Sequence, residues 1–451
     1  MKIKIIVFLL LMNSLLHAQS PSQKEKEQIA VKMEESLEND LLNKWYPQSI
    51  DSIYGGFLST FTYDLKPTGS QQKMIVTQAR HIWVNAKAAI RYPDKSFYRA
   101  DATIGYKFLI DKMWDKQYGG FYTLVDRNGE LPVGSPGNKE AYGNAFGIYA
   151  LTAYYEMTRD TSVLAFAKKS FYWMEIHSHD PVNKGYFQHL QRDGTPIKRT
   201  TSTPATAETG YKDQNSSIHI LEALTALYEV WNDDLVKERL QEMLLLIRDR
   251  IITPRGNLTL FFQTDWTPVS VHDSSRNYIL KHHNLDYVSF GHDVETTYLM
   301  LEASQVLGIK NDSTTLVIGK RLIDHALKNG WDNKVGGFYD EGFYFNGDST
   351  ITILRKSKNW WAQAEGLNTL LLMSDYFPND PHHYFDKFKI MWTYIQTYLI
   401  DHQYGDWYDE GIDNSPERKT ALKGQIWKAT YHNYRALSNC VDRLNGKLSV
   451  Q

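Results

Sequence analysis

A turn recurs six times along this chain, and any fold the chain adopts has to accommodate that repeat. In each copy an Asp or Asn stands close to a Gly and an aromatic or apolar residue: Asp51 to Phe57, Trp114 to Phe121, Asp180 to Phe187, the weaker Arg255-Gly256-Asn257-Leu258, Trp331 to Phe338, and Asp401 to Trp407. The copies lie roughly 65 to 80 residues apart, too far for most solenoid units and the right length for two helices and a loop. Glycines supply positive φ for a tight turn, and the Phe-containing segments after them favour a short strand, so these loops are expected to end in small hairpins. Between the turns the periodicity is helical, as in Ser162 to Ile176, Leu235 to Ile251 and His382 to Leu399, with apolar residues at three and four spacing. Twelve helices in six hairpins form a closed ring, whereas a β/α barrel needs eight strong buried strands that the sequence lacks. The expected fold class is all-α, with short β-hairpins in the loops.

A chain of 451 residues, 42% hydrophobic and 23% charged, has material for a large core and none of the marks of disorder. Its formal net charge of -2 offers no basic field for a nucleic acid or an anionic membrane surface. The aromatic share of 13% is high, and such flat faces with polar edges suit sugar rings as well as helix packing, with core the expected place for most of them. At the N-terminus, Met-Lys-Ile-Lys is followed by the apolar run Ile5 to Met12 and by Leu16-His17-Ala18. This fits a signal peptide cleaved after Ala18 and is too short to span a membrane comfortably. No Cys follows, so a lipid anchor is not suggested. The expectation is an exported, periplasmic protein without an integral membrane segment after cleavage, divided into a signal at 1–18, a lead-in at 19–36 and one barrel domain at 37–445. Cys440, the only cysteine, excludes an internal disulfide and a thiolate metal cluster.

One helix of each repeat is apolar along its length yet carries large polar groups in its first turns. These starts are Gln78 to Trp83, Tyr142 to Phe146, Asn215 to His219, Gly291 to Glu295, Trp360 to Glu365 and Lys428 to Asn433. A helix apolar all round belongs in the interior, so these helices form the inner ring and their polar starts meet at one mouth. Asn215 and His219, His292 and Glu295, and Trp361 and Glu365 each share a helix face at three or four spacing. One such residue alone reads as a satisfied core polar group; six sets at equivalent positions point to a site.

Removing a hydrogen from the carbon beside a carbonyl needs a base near neutral pH, an acid to return the proton, and donors for an enediolate oxygen. Histidine suits both proton roles. His292 and His432 are expected to flank the C2 carbon of a sugar, Arg80 to offer a permanent charge, His219 and Asn215 to bind oxygens, and Glu295 to orient His292. His177 and His179, His282 and His283, and His382 and His383 lack the carboxylate partner and fixed spacing of a zinc motif. No metal and no cofactor is expected.

The strings Phe290 to Glu295, Asn359 to Glu365 and Trp427 to Asn433, with Arg80 in Ala79-Arg80-His81-Ile82-Trp83, and with Tyr142, Asn215, His219 and Trp427, resemble the N-acylglucosamine 2-epimerase superfamily, specifically its cellobiose 2-epimerase branch. The resemblance runs from about Leu37 to Leu444. It implies an (α/α)6 barrel and cofactor-independent epimerisation at the reducing end of a β-1,4-linked disaccharide such as cellobiose or mannobiose, by ring opening and an enediolate. It implies that His292 and His432 are the acid/base pair and that Arg80 and His219 lie near the oxygens. Trp361 and Trp427 would pack on the sugar, and Glu295 and Glu365 would support the histidines or ring opening. The chain departs from the branch at Ser217, where another His is common, and at Lys212-Asp213-Gln214.

Three other readings compete. An aldose–ketose isomerase uses the same enediolate and delivers the proton to C1. A glycoside hydrolase or lyase on an α/α barrel would use Asp293, Glu295 or Glu365 as acid and base, with less need of His and Arg. A non-catalytic carbohydrate-binding protein has no need of paired histidines.

Overall fold

The computed structural model describes residues 22–448, so the expected export signal lies outside the described residues. Among the described residues twelve long helices follow one another: α1 Gln23–Ser36, α2 Ile75–Arg91, α3 Ser96–Phe108, α4 Ala141–Thr158, α5 Thr161–His177 and α6 Gln214–Val230. The second six are α7 Asp234–Leu246, α8 Phe290–Val306, α9 Ser313–Asn329, α10 Trp360–Tyr376, α11 Tyr384–Tyr394 and α12 Tyr431–Leu444. Even-numbered helices pack side by side in chain order and α12 returns to α2, which closes the ring. Each carries an outer helix: α3 on α2, α5 on α4, α7 on α6, α9 on α8, α11 on α10, and α1 on α12. This is the (α/α)6 barrel. The segment expected as a lead-in at 19–36 therefore has to be reassigned, because α1 is the outer half of the sixth hairpin.

Burial separates the two rings as the apolar patterning requires. In α4, 15 of 18 residues are buried, against 7 of 17 in α9, so the inner helix is enclosed on all sides and the outer helix on one. Close approach of loop and helix also needs small residues, since a Cβ on Gly147 would stand 2.4 Å from Phe121.

Each of the six turns closes one antiparallel bridge, Ile50 with Phe57, Trp114 with Phe121, His179 with Tyr186, Ile252 with Leu258, Trp331 with Phe338 and Ile400 with Trp407. In the second, Gly119 and Gly120 have φ of 71° and 72°, which a residue with a Cβ rarely adopts. The two-residue strands do more than end the loops. They join consecutive repeats, as where Lys73–Met74 pairs with Leu124–Val125 and Lys139–Glu140 with His189–Leu190.

Buried charge locks the turns. Asp51, Asp115, Asp180, Asp332 and Asp401 accept the backbone N–H two residues on. The same carboxylates receive Lys73, Lys139, Lys212, Lys358 and Lys423. The first four lysines stand two residues before an inner helix, so each pair ties a turn to the start of the next inner helix. At the corresponding places the fourth turn has no Asp and Val288 replaces the lysine; both partners are missing together, which leaves no buried charge alone. A second tie comes from Gln78, Asn144, Asp293 and Gln363, which accept the N–H of Phe57, Phe121, Leu258 and Phe338. These members of the polar helix starts face the loops and hold the fold.

Candidate active site

The remaining polar groups sit in the early turns of the inner helices and point to the axis of the ring. From α6, His219 places Nδ1 2.8 Å from Glu222 Oε2, three residues on. From α12, His432 places Nδ1 2.7 Å from Glu365 Oε1 on α10. From α8, His292 places Nδ1 2.9 Å from the Ser289 hydroxyl, which is also the cap of that helix. In all three rings the protein engages Nδ1, so Nε2 is the nitrogen left for a ligand. The Trp361 ring lies 4.7 Å from His292 and 5.9 Å from His432, which puts one indole against both imidazoles.

Arg80 enters from α2, the inner helix next to α12. It donates to the Tyr142 hydroxyl and to the Trp427 carbonyl, each at 3.2 Å. Its guanidinium covers the Phe146 ring at 4.6 Å, a placement that offsets part of the cost of holding a cation in a buried site. Trp427 itself is 46% exposed, at the rim. Asn215 is half-buried at the start of α6, one turn before His219 on the same face.

Behind the histidines lies a layer in which Arg435 and Glu222 join the Glu295 and Glu365 expected from sequence. Arg435, buried on α12, donates through Nη2 to Glu295 and pairs the same nitrogen with Glu365, each at 2.6 Å, and donates through Nη1 to Glu222 and the Tyr431 hydroxyl. Tyr431 also donates to Glu222. Glu295 was expected to orient His292; instead it holds Arg435, and its nearest histidine nitrogen is His432 Nδ1 at 4.0 Å. Ser289 takes the orienting place. A signal for Glu222 and Arg435 was present, because His219–Glu222, His292–Glu295 and His432–Arg435 repeat one three-residue spacing on three inner helices. On its far side this layer floors a second cavity of about 470 Å³, between Trp83, Tyr149, Tyr298 and Glu302.

The charges set the resting protonation. Burial pushes Glu222 up, but Arg435 and His219 pull it down to about 2. Burial lowers His292 to about 4, against the pull of Glu295. Burial, with Arg80 nearby, holds His432 well below the usual histidine range. Burial raises Glu365 even with Arg435 beside it. His292 and His432 thus rest neutral.

Glu295, Glu365 and His432 stand close enough together to hold a metal ion. The Arg435 guanidinium already occupies that point and supplies the positive charge. The second such group, Asp324, Asp380 and His382, is bridged by Lys320 at 2.6 and 2.9 Å. Elsewhere His179 bonds Glu242 and His283 bonds Glu341. Asp293, weighed as a hydrolytic acid, is turned to the Leu258 N–H and to His325, away from the axis.

The sequence model of the family described as N-acylglucosamine 2-epimerase (GlcNAc 2-epimerase) matches residues 55–436. The chain is 27% identical over 415 residues to the cellobiose 2-epimerase of Bacteroides fragilis, covering 91% of this chain and 97% of that protein. It is 22% identical over 398 residues to the D-mannose isomerase of Marinomonas mediterranea, covering 86% and 91%. Among solved structures, cellobiose 2-epimerase from Spirochaeta thermophila superposes with a TM-score of 0.79 at 28% identity, over 94% of this chain and 99% of the other. That from Bacillus thermoamylovorans gives 0.79 at 26%, over 92% and 99%.

Proposed function

The chain belongs to the N-acylglucosamine 2-epimerase family, and from that premise we propose that it epimerises C2 of the reducing-end residue of a β-1,4-linked disaccharide, cellobiose or mannobiose. The observation that carries this reading is the set of histidines whose Nδ1 atoms are held by the protein and whose Nε2 atoms are left free, facing an Arg and an indole. After ring opening, one of His292 and His432 takes the C2 proton, the enediolate forms, and the other returns a proton to the opposite face. Arg80 and His219 stabilise the oxygens on C1 and C2. Trp361 and Trp427 pack on the two rings, and Tyr142 and Asn215 bind hydroxyls. Glu295 and Glu365 act through Arg435 and His432. The enzyme works outside the cytoplasm if the N-terminal signal is functional.

The arrangement of carboxylates disfavours hydrolysis. A glycosidase needs one carboxyl group free to protonate the leaving oxygen, whereas Glu295 and Glu365 are both buried and paired with Arg435 behind the histidines. Proton NMR of the purified protein with cellobiose and with mannobiose in D2O tests the assignment. A C2-epimeric product carrying deuterium at C2 is expected. A ketose would move the assignment to aldose–ketose isomerisation, and released monosaccharide would overturn it in favour of hydrolysis.

A further inference from the structure

The contact between His432 Nδ1 and Glu365 Oε1 at 2.7 Å has two chemically opposite forms. In one, imidazole donates its Nδ1–H to a carboxylate and Nε2 keeps a lone pair. In the other, a neutral carboxylic acid donates to Nδ1 and the imidazole hydrogen sits on Nε2. Only the first leaves a base facing the substrate.

Burial and the neighbouring acids favour the second form. Glu365 is fully buried, and among the described residues its Oε2 has no hydrogen-bond partner, so desolvation favours the neutral acid. Glu222 and Glu295 add negative charge through the same guanidinium. The other groups facing this cluster are Tyr142 and Tyr149 on α4, His219 on α6, His292, Tyr298 and Glu302 on α8, Tyr431 and Cys440 on α12, and Arg80 on α2. Arg80 directs its hydrogen bonds to Tyr142 and a carbonyl, not to the carboxylates. Among the described residues, Arg435 is the one cation in direct contact with all three acids.

We propose that Arg435 is a positioning residue whose charge keeps Glu365 ionised, so that His432 carries its hydrogen on Nδ1 and presents Nε2 as the base. The inference rests on the epimerase reading above for its catalytic meaning, but the tautomer exists without substrate. In the direction where His432 takes the C2 proton, ionised Glu365 also stabilises the imidazolium that forms. Without Arg435, Glu365 takes up one proton from solvent and, as the neutral acid, makes the hydrogen bond to Nδ1. The imidazole hydrogen then relocates through solvent to Nε2, and His432 has nothing with which to accept from C2.

The test is Arg435→Met, with Arg435→Lys as the charge-keeping control. For Arg435→Met, kcat should fall about 100-fold or more, in the range a lost general base produces, with KM little changed. Its activity should climb with pH as Glu365 ionises, where the wild type is level. Arg435→Lys should recover most of kcat and the wild-type profile. Imidazole nitrogen NMR of 15N-histidine-labelled protein, with the His432 signal assigned from His432→Asn, should show hydrogen on Nδ1 in the wild type and in Arg435→Lys, and on Nε2 in Arg435→Met. Unchanged His432 nitrogens, with a pH profile parallel to the wild type, would overturn the proposal and leave Arg435 a structural ion. Should Arg435→Met not fold by circular dichroism, Arg435→Gln carries the same test. Because the nitrogen spectrum needs no sugar, it stands apart from failure of the epimerase assignment.

Discussion

His292 and His432 are held differently, one by a hydroxyl and one by a carboxylate, yet both offer Nε2. Replacing either with Asn removes that nitrogen while keeping a polar side chain of smaller volume. We expect kcat to fall by about 10²–10⁴-fold with an unchanged far-UV circular dichroism spectrum; turnover near the wild-type rate would remove the residue from the mechanism. His81, one residue after Arg80, has a different task. It is buried, bonded to the Tyr46 hydroxyl at 2.8 Å and stacked on Phe57, and burial lowers it to about 3. Its folded value lies below the unfolded value near 6.5, so in between the unfolded chain binds the extra proton. Stability is full above pH 6.5 and is lost as pH falls toward 3, by about 1.4 kcal/mol per unit. His81→Gln lacks this share, so its stability deficit at pH 7 should narrow at pH 6 and 5 in urea titrations. A constant gap would mean that His81 titrates normally in the folded protein. From sequence, His292, His432, Arg80 and His219 stood out because each is a large polar group on an otherwise apolar helix. Arg435 and Glu222 did not, since a buried salt bridge looks like any other charged pair until its partners on three other helices are known.

Helix pairs and their turns were the most legible elements, because each turn carries its own Asp–Gly signature and each inner helix its own apolar run. Boundaries were less so. His382 to Leu399 read as one helix, but His383 adopts φ of 52° and α11 begins at Tyr384. Its last turn loosens to wider hydrogen bonds, Ile400 N–H donating to the Ile395 carbonyl, so apolar spacing alone did not mark either end. Lysines before the inner helices passed unnoticed, since a lone Lys in a loop normally reads as solvated. The turns also differ in how well they are insured. Asp115 keeps Arg192 at 3.0 Å if Lys139 is lost, whereas among the described residues Lys212 is the one cation on Asp180. Lys212→Met should therefore cost about 3–5 kcal/mol, and Lys139→Met distinctly less, in urea unfolding. Equal losses would show that the arginine contributes nothing to the second turn.

Taken as a whole, the barrel has two ends divided by the layer of Arg435, Glu222, Glu295 and Glu365. That layer supplies a fixed cation where three acids converge, so exhaustive treatment with EDTA should leave the rate of epimerisation unchanged; loss restored by a divalent ion would show a metal requirement. The ring closes in an unusual way. Five hairpins are built from neighbouring helices, but the sixth pairs α1 with α12, the first and last long helices described. During synthesis from the N-terminus, α1 lacks the inner helix it packs against until α12 emerges. The same late helix brings His432 and Arg435. A ribosome-bound chain that has not yet exposed Tyr431 to Leu444 is thus at once an open crescent and an inert one, and ring closure and the assembly of the acid/base pair are a single event in time.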